Sequence, residues 1–331
     1  MAKFSEKVYY DRILSEALVA TLKKDYAWLI EFVKGHEELD FQTGHDPKSK
    51  QSWFSIYRGT GRLLTVSVGT RNQLKISADK VYMTLSPQIF EEGVLTADTL
   101  EIYLKAVNAT PKLDRYYVSE GVRREGYYQN LIARRYTFHE QQSEDDFIVI
   151  DKEMVIGFFD EKTREDWNRE NVLHQETLVK NLREIYPETS FPKEVKVQFG
   201  EFDFLGMNWA GDIIIMELKQ NDPQKTYLSP IQISFYKQQF TKLFREYDLN
   251  DSIFRMIEQK IDLGIIQLPT GRTLPQKLSG RILSYIIVGE EDDLSQEVCR
   301  RYSLVKSVFD PSIEQYTCTK HGTLIPCRKL K

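Results

Sequence analysis

No stretch of about 18 apolar residues runs through this 331-residue chain, so a membrane-spanning helix is not expected. The opening segment, MAKFSEKVYYDRILSEALVATLKKDY, has neither an uninterrupted apolar stretch nor a clear cleavage site, so a secretory signal is not expected either. Cysteine is scarce: Cys299, Cys318 and Cys327 are too few and too clustered for a disulfide framework. Reduced thiols in a cytoplasmic protein is the reading that follows. A basic excess is also missing, since 45 Lys and Arg face 49 Asp and Glu for a net charge of −4. That argues against a broad DNA-coating surface while leaving room for a local basic groove. There is no GxxxxGK[ST] phosphate loop, so any unwinding must come from a partner protein. Repeats and low-complexity tracts are absent too. What remains is an ordinary globular composition, 41% hydrophobic and 28% charged, in a chain long enough for two domains.

The first half opens with Leu14, Leu18, Leu22, Trp28, Leu29, Phe32 and Val33 at roughly helical spacing, ended by the polar GHDPKSKQS (44–52). Runs rich in β-formers follow, WFSIYRG, RLLTVSVGT and LKISADKVYMTLS, which predict a strand meander. A short helix is expected over Ala97–Asn108 and a hairpin over 146–159. The segment DEKTREDWNRE (160–170) is dense in charge and nearly free of aliphatics, so the domain boundary is placed there. This gives an N-terminal α+β domain over 1–160, with a recognition or regulatory role, and a C-terminal domain over 165–331.

The second half has another rhythm. A helix is expected over 172–186, before Pro187, then strands over 194–199, 201–208 and 212–220. Ser229-Pro230 reads as the start of a long helix, with Ser as N-cap and Pro in the first turn. A helix near 251–263, an apolar strand over 281–289 and a helix over 294–308 complete an α/β layout, α+β for the whole chain.

The informative segment is GEFDFLGMNWAGDIIIMELKQ. Side chains alternate along a strand, so Glu217 and Lys219 share one face while Met216 and Leu218 share the other. Ile213 to Met216 form the continuous apolar run of a central strand buried on both faces. Asp203 can lie beside Glu217 if the two strands pair through a turn near Trp209-Ala210-Gly211. Two adjacent carboxylates repel unless a cation sits between them, and oxygen ligands suit Mg²⁺, with Mn²⁺ as a substitute. A plain salt bridge at a strand end is the competing reading.

This pattern resembles the PD-(D/E)xK nuclease superfamily, and within it the RecB-like nucleases. The family's GxxD, ExK and QxxxY have counterparts in Gly200 to Asp203, Glu217 to Lys219, and Gln232 to Tyr236, in that order and over about residues 172–289. The resemblance implies a restriction-endonuclease-like mixed sheet flanked by helices. It implies that Asp203 and Glu217 bind the metal with the Leu218 carbonyl, and that Lys219 serves the attacking water. Glu176, on the first helix, fits the place of a further metal ligand, and Glu201 is a reserve. Gln232 and Tyr236, one turn apart, would support the site or touch nucleic acid. Tyr236 also belongs to an apolar stripe with Phe240, Leu243, Phe244 and Tyr247, which gives it a core role as well.

Elsewhere, residues 112–136 interleave Arg115, Arg123, Arg124, Arg134 and Arg135 with tyrosines, a candidate nucleic-acid surface or a partly packed β region. The basic tail KHGTLIPCRKLK could meet DNA or fray. Cys318, His321 and Cys327 lack a fourth zinc ligand. His174 precedes Glu176 and is read as exposed. The expectation is a Mg²⁺-dependent deoxyribonuclease, placed by analogy in restriction or genome defence, acting as a homodimer or with a partner protein supplying unwinding or specificity. A catalytically inactive binding module on the same scaffold, or a nuclease acting on RNA, are the alternatives.

Overall fold

The computed structural model describes residues 7–68, 74–110, 112–113, 117–138, 146–189, 191, 202–290 and 292–330. The strand expected over 194–199 lies outside them, as do Gly200, Glu201 and Arg115. The chain is mixed α/β and divides into two compact units. One, the sheet unit, takes residues 1–10, 146–251 and 273–331; the other, the meander unit, takes 11–145 and 252–272.

The first described strand, β1 (Val8–Tyr9), belongs to the sheet unit. The meander unit follows with α1 (Glu16–Lys24), α2 (Ala27–Lys34), β2 (Asp40–Asp46), β3 (Gln51–Arg58), β4 (Gly61–Val68) and β5 (Leu74–Ser77). It continues with α3 (Lys80–Met83), α4 (Pro87–Phe90), α5 (Ala97–Asn108), β6 (Val118–Ser119), β7 (Val122–Arg123) and α6 (Glu125–Phe138). Strands β2 to β5 pair in sequence order, all antiparallel; β3, β4 and β5 fall in the β-rich runs, β2 lies before them, and the latter part of the third run is the helix α3. The opening apolar pattern forms two helices rather than one, because the chain breaks at Asp25-Tyr26; Leu18, Leu22, Leu29, Ile30 and Val33 still face one core. Helix α5 has the bounds expected, fixed at its start by a Thr96/Thr99 capping box. The polar 44–52 segment does not end a helix: it finishes β2 and turns into β3. The expected β region around 112–136 is largely α6.

The sheet unit contains β8 (Phe147–Met154), β9 (Gly157–Phe158), α7 (Glu161–Ile185), β10 (Phe202–Asn208), β11 (Ile213–Lys219) and α8 (Pro223–Glu246). After α9 (Asn250–Asp262), where the chain passes into the meander unit, come β12 (Ile282–Gly289), α10 (Gln296–Phe309), β13 (Glu314–Cys318) and β14 (Leu324–Pro326). The six-stranded sheet runs β14-β13-β12-β11-β10-β8, with β11, β12 and β13 parallel and the other pairs antiparallel.

Three expectations are corrected here. Residues 146–159 are not a hairpin: β8 joins the large sheet beside β10, while β9 pairs with β1. The charged stretch 160–170 is no linker but the opening turns of α7, with Asp160 accepting from the Thr163 N–H. Ion pairs such as Glu161–Arg164 and Lys162–Asp166 fit helical spacing, which is why so polar a sequence is helical there. The units therefore part at 145/146 and not at 160–165. Helix α8 starts at Asp222-Pro223 and not at the expected Ser229-Pro230. Pro230 is internal to the helix, where it can offer no N–H to the Thr226 carbonyl. The Ser229 hydroxyl donates to that carbonyl instead, at 2.7 Å.

Candidate functional site

Every residue of β11 is buried, as its IIIMELK sequence requires between neighbours on both sides. Its register against β10 is set by the connecting turn. Asn208 accepts the N–H groups of Ala210 and Asp212 on its side-chain oxygen, and Gly211 takes φ +82, a conformation open to glycine. A Cβ at Gly211 would come within 2.5 Å of the Lys277 carbonyl. From this turn the ladder runs Met207–Ile213, Gly206–Ile214, Leu205–Ile215 and Phe204–Met216. The paired ladder ends there, and strand alternation puts Asp203, just beyond it, on the face of Glu217 and Lys219.

The geometry at this strand end is tight. The Asp203 carboxylate, half-buried, accepts the Leu218 N–H at 2.6 Å. Glu217 and Lys219 keep only 2% and 5% of their exposure, and the Lys219 ammonium donates to Glu217 Oε1. Removing two charges this far from water is costly, and their mutual attraction offsets part of that cost. Gln232 on α8 donates to the Tyr236 hydroxyl at 3.2 Å. Burial, and then the Glu217 carboxylate, push the Tyr236 phenol well above its ordinary value of 10.0. Tyr236 is thus both things the sequence left open: a core residue packed on Phe202, with a hydroxyl in the field of the carboxylates.

Other expected site residues stand elsewhere. Glu176 is exposed on α7, as is His174. The helix turns Trp167, Asn168, Gln175, Val179 and Leu182 inward, so the buried position is the residue before Glu176. The carboxylate pair gains no third member from this helix. Cys318 and Cys327 are buried while His321 is exposed, and among the described residues no three His, Cys, Asp or Glu side chains converge as a metal site.

The arginines belong to the meander unit. Arg134 is buried and donates to the carbonyls of Val33, Lys34, His36 and Leu39, so it secures the end of α2 and is not placed to meet phosphate. Arg135 packs over Tyr136, and Arg123 over Tyr127. Arg123, Arg124 and Arg135 are half-buried.

Sequence reasoning expected strand structure over 146–159 but missed that β8 brings Asp151 into this sheet. Asp151 pairs with Leu205, which by alternation puts it on the face of Asp203 and Glu217. It is buried and accepts from the Tyr10 hydroxyl at 3.0 Å. The signal was present: FIVIDKEM closes an apolar run on charges much as IIIMELK does. No family model, characterised protein or solved structure matches the chain. Among the described residues, no helix is long and apolar enough to cross a membrane.

Proposed function

We propose that the sheet unit is a Mg²⁺-dependent nuclease that hydrolyses DNA phosphodiester bonds, with Asp203, Glu217 and Lys219 at its centre. One observation carries this reading. The turn-fixed register of β10 and β11 brings the Asp203 carboxylate to the Leu218 N–H, one residue from Glu217 and the buried Lys219 that donates to it, at the end of the central strand. The resemblance to PD-(D/E)xK nucleases supports it and extends to a restriction-endonuclease-like arrangement for this sheet and its helices.

The donor set fits a hard cation. It is all oxygen, from Asp203, Glu217 and the Leu218 carbonyl, and Mg²⁺ is commonly held by one or two carboxylates with waters and substrate phosphates completing its shell. When bound there, Mg²⁺ (or Mn²⁺ in its place) polarises the scissile phosphate and makes water a better nucleophile at neutral pH. The chain's own residues do the rest. Asp203 is oriented by the Leu218 N–H and holds negative charge where the cation is needed. Lys219, oriented by Glu217, directs its ammonium at the attacking water and at the charge growing on the phosphate oxygens. Gln232 and Tyr236 hold the α8 side of the site. Unwinding, where a substrate requires it, falls to a partner protein.

The test is Asp203→Asn, which keeps a carbonyl for the Leu218 N–H but has no charge to offer a cation. DNA cleavage should depend on Mg²⁺ or Mn²⁺, vanish with chelator and be lost in this variant while its fold is retained. Cleavage equal to that of the unaltered protein would sink the proposal. The lack of a third converging ligand among the described residues favours one second reading, a binding module without catalysis. Calorimetry with Mn²⁺ separates the two, because the module predicts no heat that Asp203→Asn removes.

A further inference from the structure

Within the sheet unit, α7, α8 and the end of β8 enclose a pocket of about 40 Å³, roughly three times the space one ordered water needs. Its walls are mainly apolar and aromatic, with Phe202 and Phe235 opposing Met154 and Ile156 among the lining residues. Two carboxamides, Asn168 and Gln239, supply most of its polarity, and none of the lining residues is charged. Both carboxamide residues are buried, at 3% and 4% exposure. Neither the oxygen nor the nitrogen of the Gln239 amide has a hydrogen-bond partner among the described residues. A buried amide in that state destabilises the folded chain, so it is expected to meet its partner in something that enters the pocket.

The chemistry of the walls selects the occupant. Phosphates and other charged groups would find no counter-ion here. A flat heteroaromatic ring would find aromatic faces to lie against and, at its edge, amides that each offer a donor and an acceptor. Tyr236 lines the pocket and also carries the hydroxyl that Gln232 meets in the field of Glu217. The pocket and the carboxylates therefore share a wall.

From this geometry we infer that the pocket takes an unpaired nucleobase of the strand being cut, read at its edge by Gln239 and Asn168. The inference rests on the nuclease reading for its ligand class but does not depend on catalysis. Gln239 would be a specificity residue, contacting substrate away from the reacting atoms.

The experiment measures binding of labelled single-stranded oligonucleotides in Ca²⁺, comparing an intact strand with strands carrying one abasic site, scanned along the sequence. One abasic position should weaken binding by about ten-fold, since a stacked base contributes roughly 1–3 kcal/mol. Gln239→Leu should erase most of that difference while raising the melting temperature, because it removes the unpartnered amide. A purely structural Gln239 would do the opposite, losing stability and leaving the abasic penalty intact. That result overturns the inference, as does an unaltered protein that binds every abasic strand as well as the intact one. The same scan in duplexes identifies the source of the base: a penalty there means a flipped base, and a penalty in single strands alone means one already unpaired. Cutting in Mg²⁺ is scored separately. Base discrimination without cutting sinks the nuclease reading and keeps the pocket, and cutting without discrimination does the reverse.

Discussion

Both units bury cations, and two of these, Arg134 and Lys219, are held in opposite ways. Arg134, in the meander unit, spends its guanidinium on the backbone carbonyls that close α2, a planar fork matched to fixed acceptors. Lys219, in the sheet unit, donates to the neighbouring Glu217 carboxylate, one residue from the Leu218 N–H that Asp203 accepts. The first arrangement consists of neutral acceptors and a charge with nowhere to go. The second is a set of charges whose balance changes as soon as a cation or a phosphate arrives. The sequence reading assigns both residues a role toward nucleic acid, Lys219 through its motif and Arg134 among tyrosines, and their partners separate them.

The contrast can be broken by mutation, and the largest effect belongs to the sheet unit. Asp203→Ala and Lys219→Ala are each expected to reduce Mg²⁺-dependent DNA cleavage by about 10² to 10⁴-fold, measured as initial rates on protein whose circular dichroism is unchanged. Arg134→Met comes next. It strands several carbonyls and should lower unfolding free energy by about 2 to 4 kcal/mol, read by denaturant titration, with no change in cleavage per folded molecule. If Arg134→Met instead removed DNA binding at full stability, the division between the two cations would collapse. Ser229→Ala leaves the Thr226 carbonyl without its hydroxyl and should cost about 1 kcal/mol, seen as a small drop in melting temperature. Smallest of all, Glu176→Ala should alter neither cleavage nor stability measurably, and a rate loss beyond about ten-fold, the scale of a real ligand contribution, would restore it to the site.

The strengths of sequence reading follow from what each inference rested on. Alternation along IIIMELK needs only the two-residue period of a strand, so the shared face of Glu217 and Lys219 was legible without a partner. The antiparallel pairing of β10 with β11 needed a turn, and the Asn208-to-Gly211 chemistry supplied one near the place expected. Glu176 failed for a simple reason: one residue along a helix is a rotation of 100°, and the choice between Gln175 and Glu176 depends on a phase that charge alone does not reveal. The misplaced boundary at 160–170 had a similar origin. Charge density there is compatible with a linker and with a solvated helix laced by ion pairs, and the second holds. Strand β8 could not be assigned to the large sheet by any local pattern, because its partner β10 lies some fifty residues further along the chain, beyond α7.

The turn from Asn208 to Asp212 is, in the end, a counter. Side-chain direction on a strand has a parity, and this turn decides whether β10 and β11 keep the same parity. Adding or removing a single residue there, with the ladder re-formed one step along, would carry Asp203 to the opposite face from Glu217 while leaving every residue of the site in the sequence. The proposed centre can thus be dismantled without touching any of its side chains, by an insertion in a turn whose one exposed residue is Ala210.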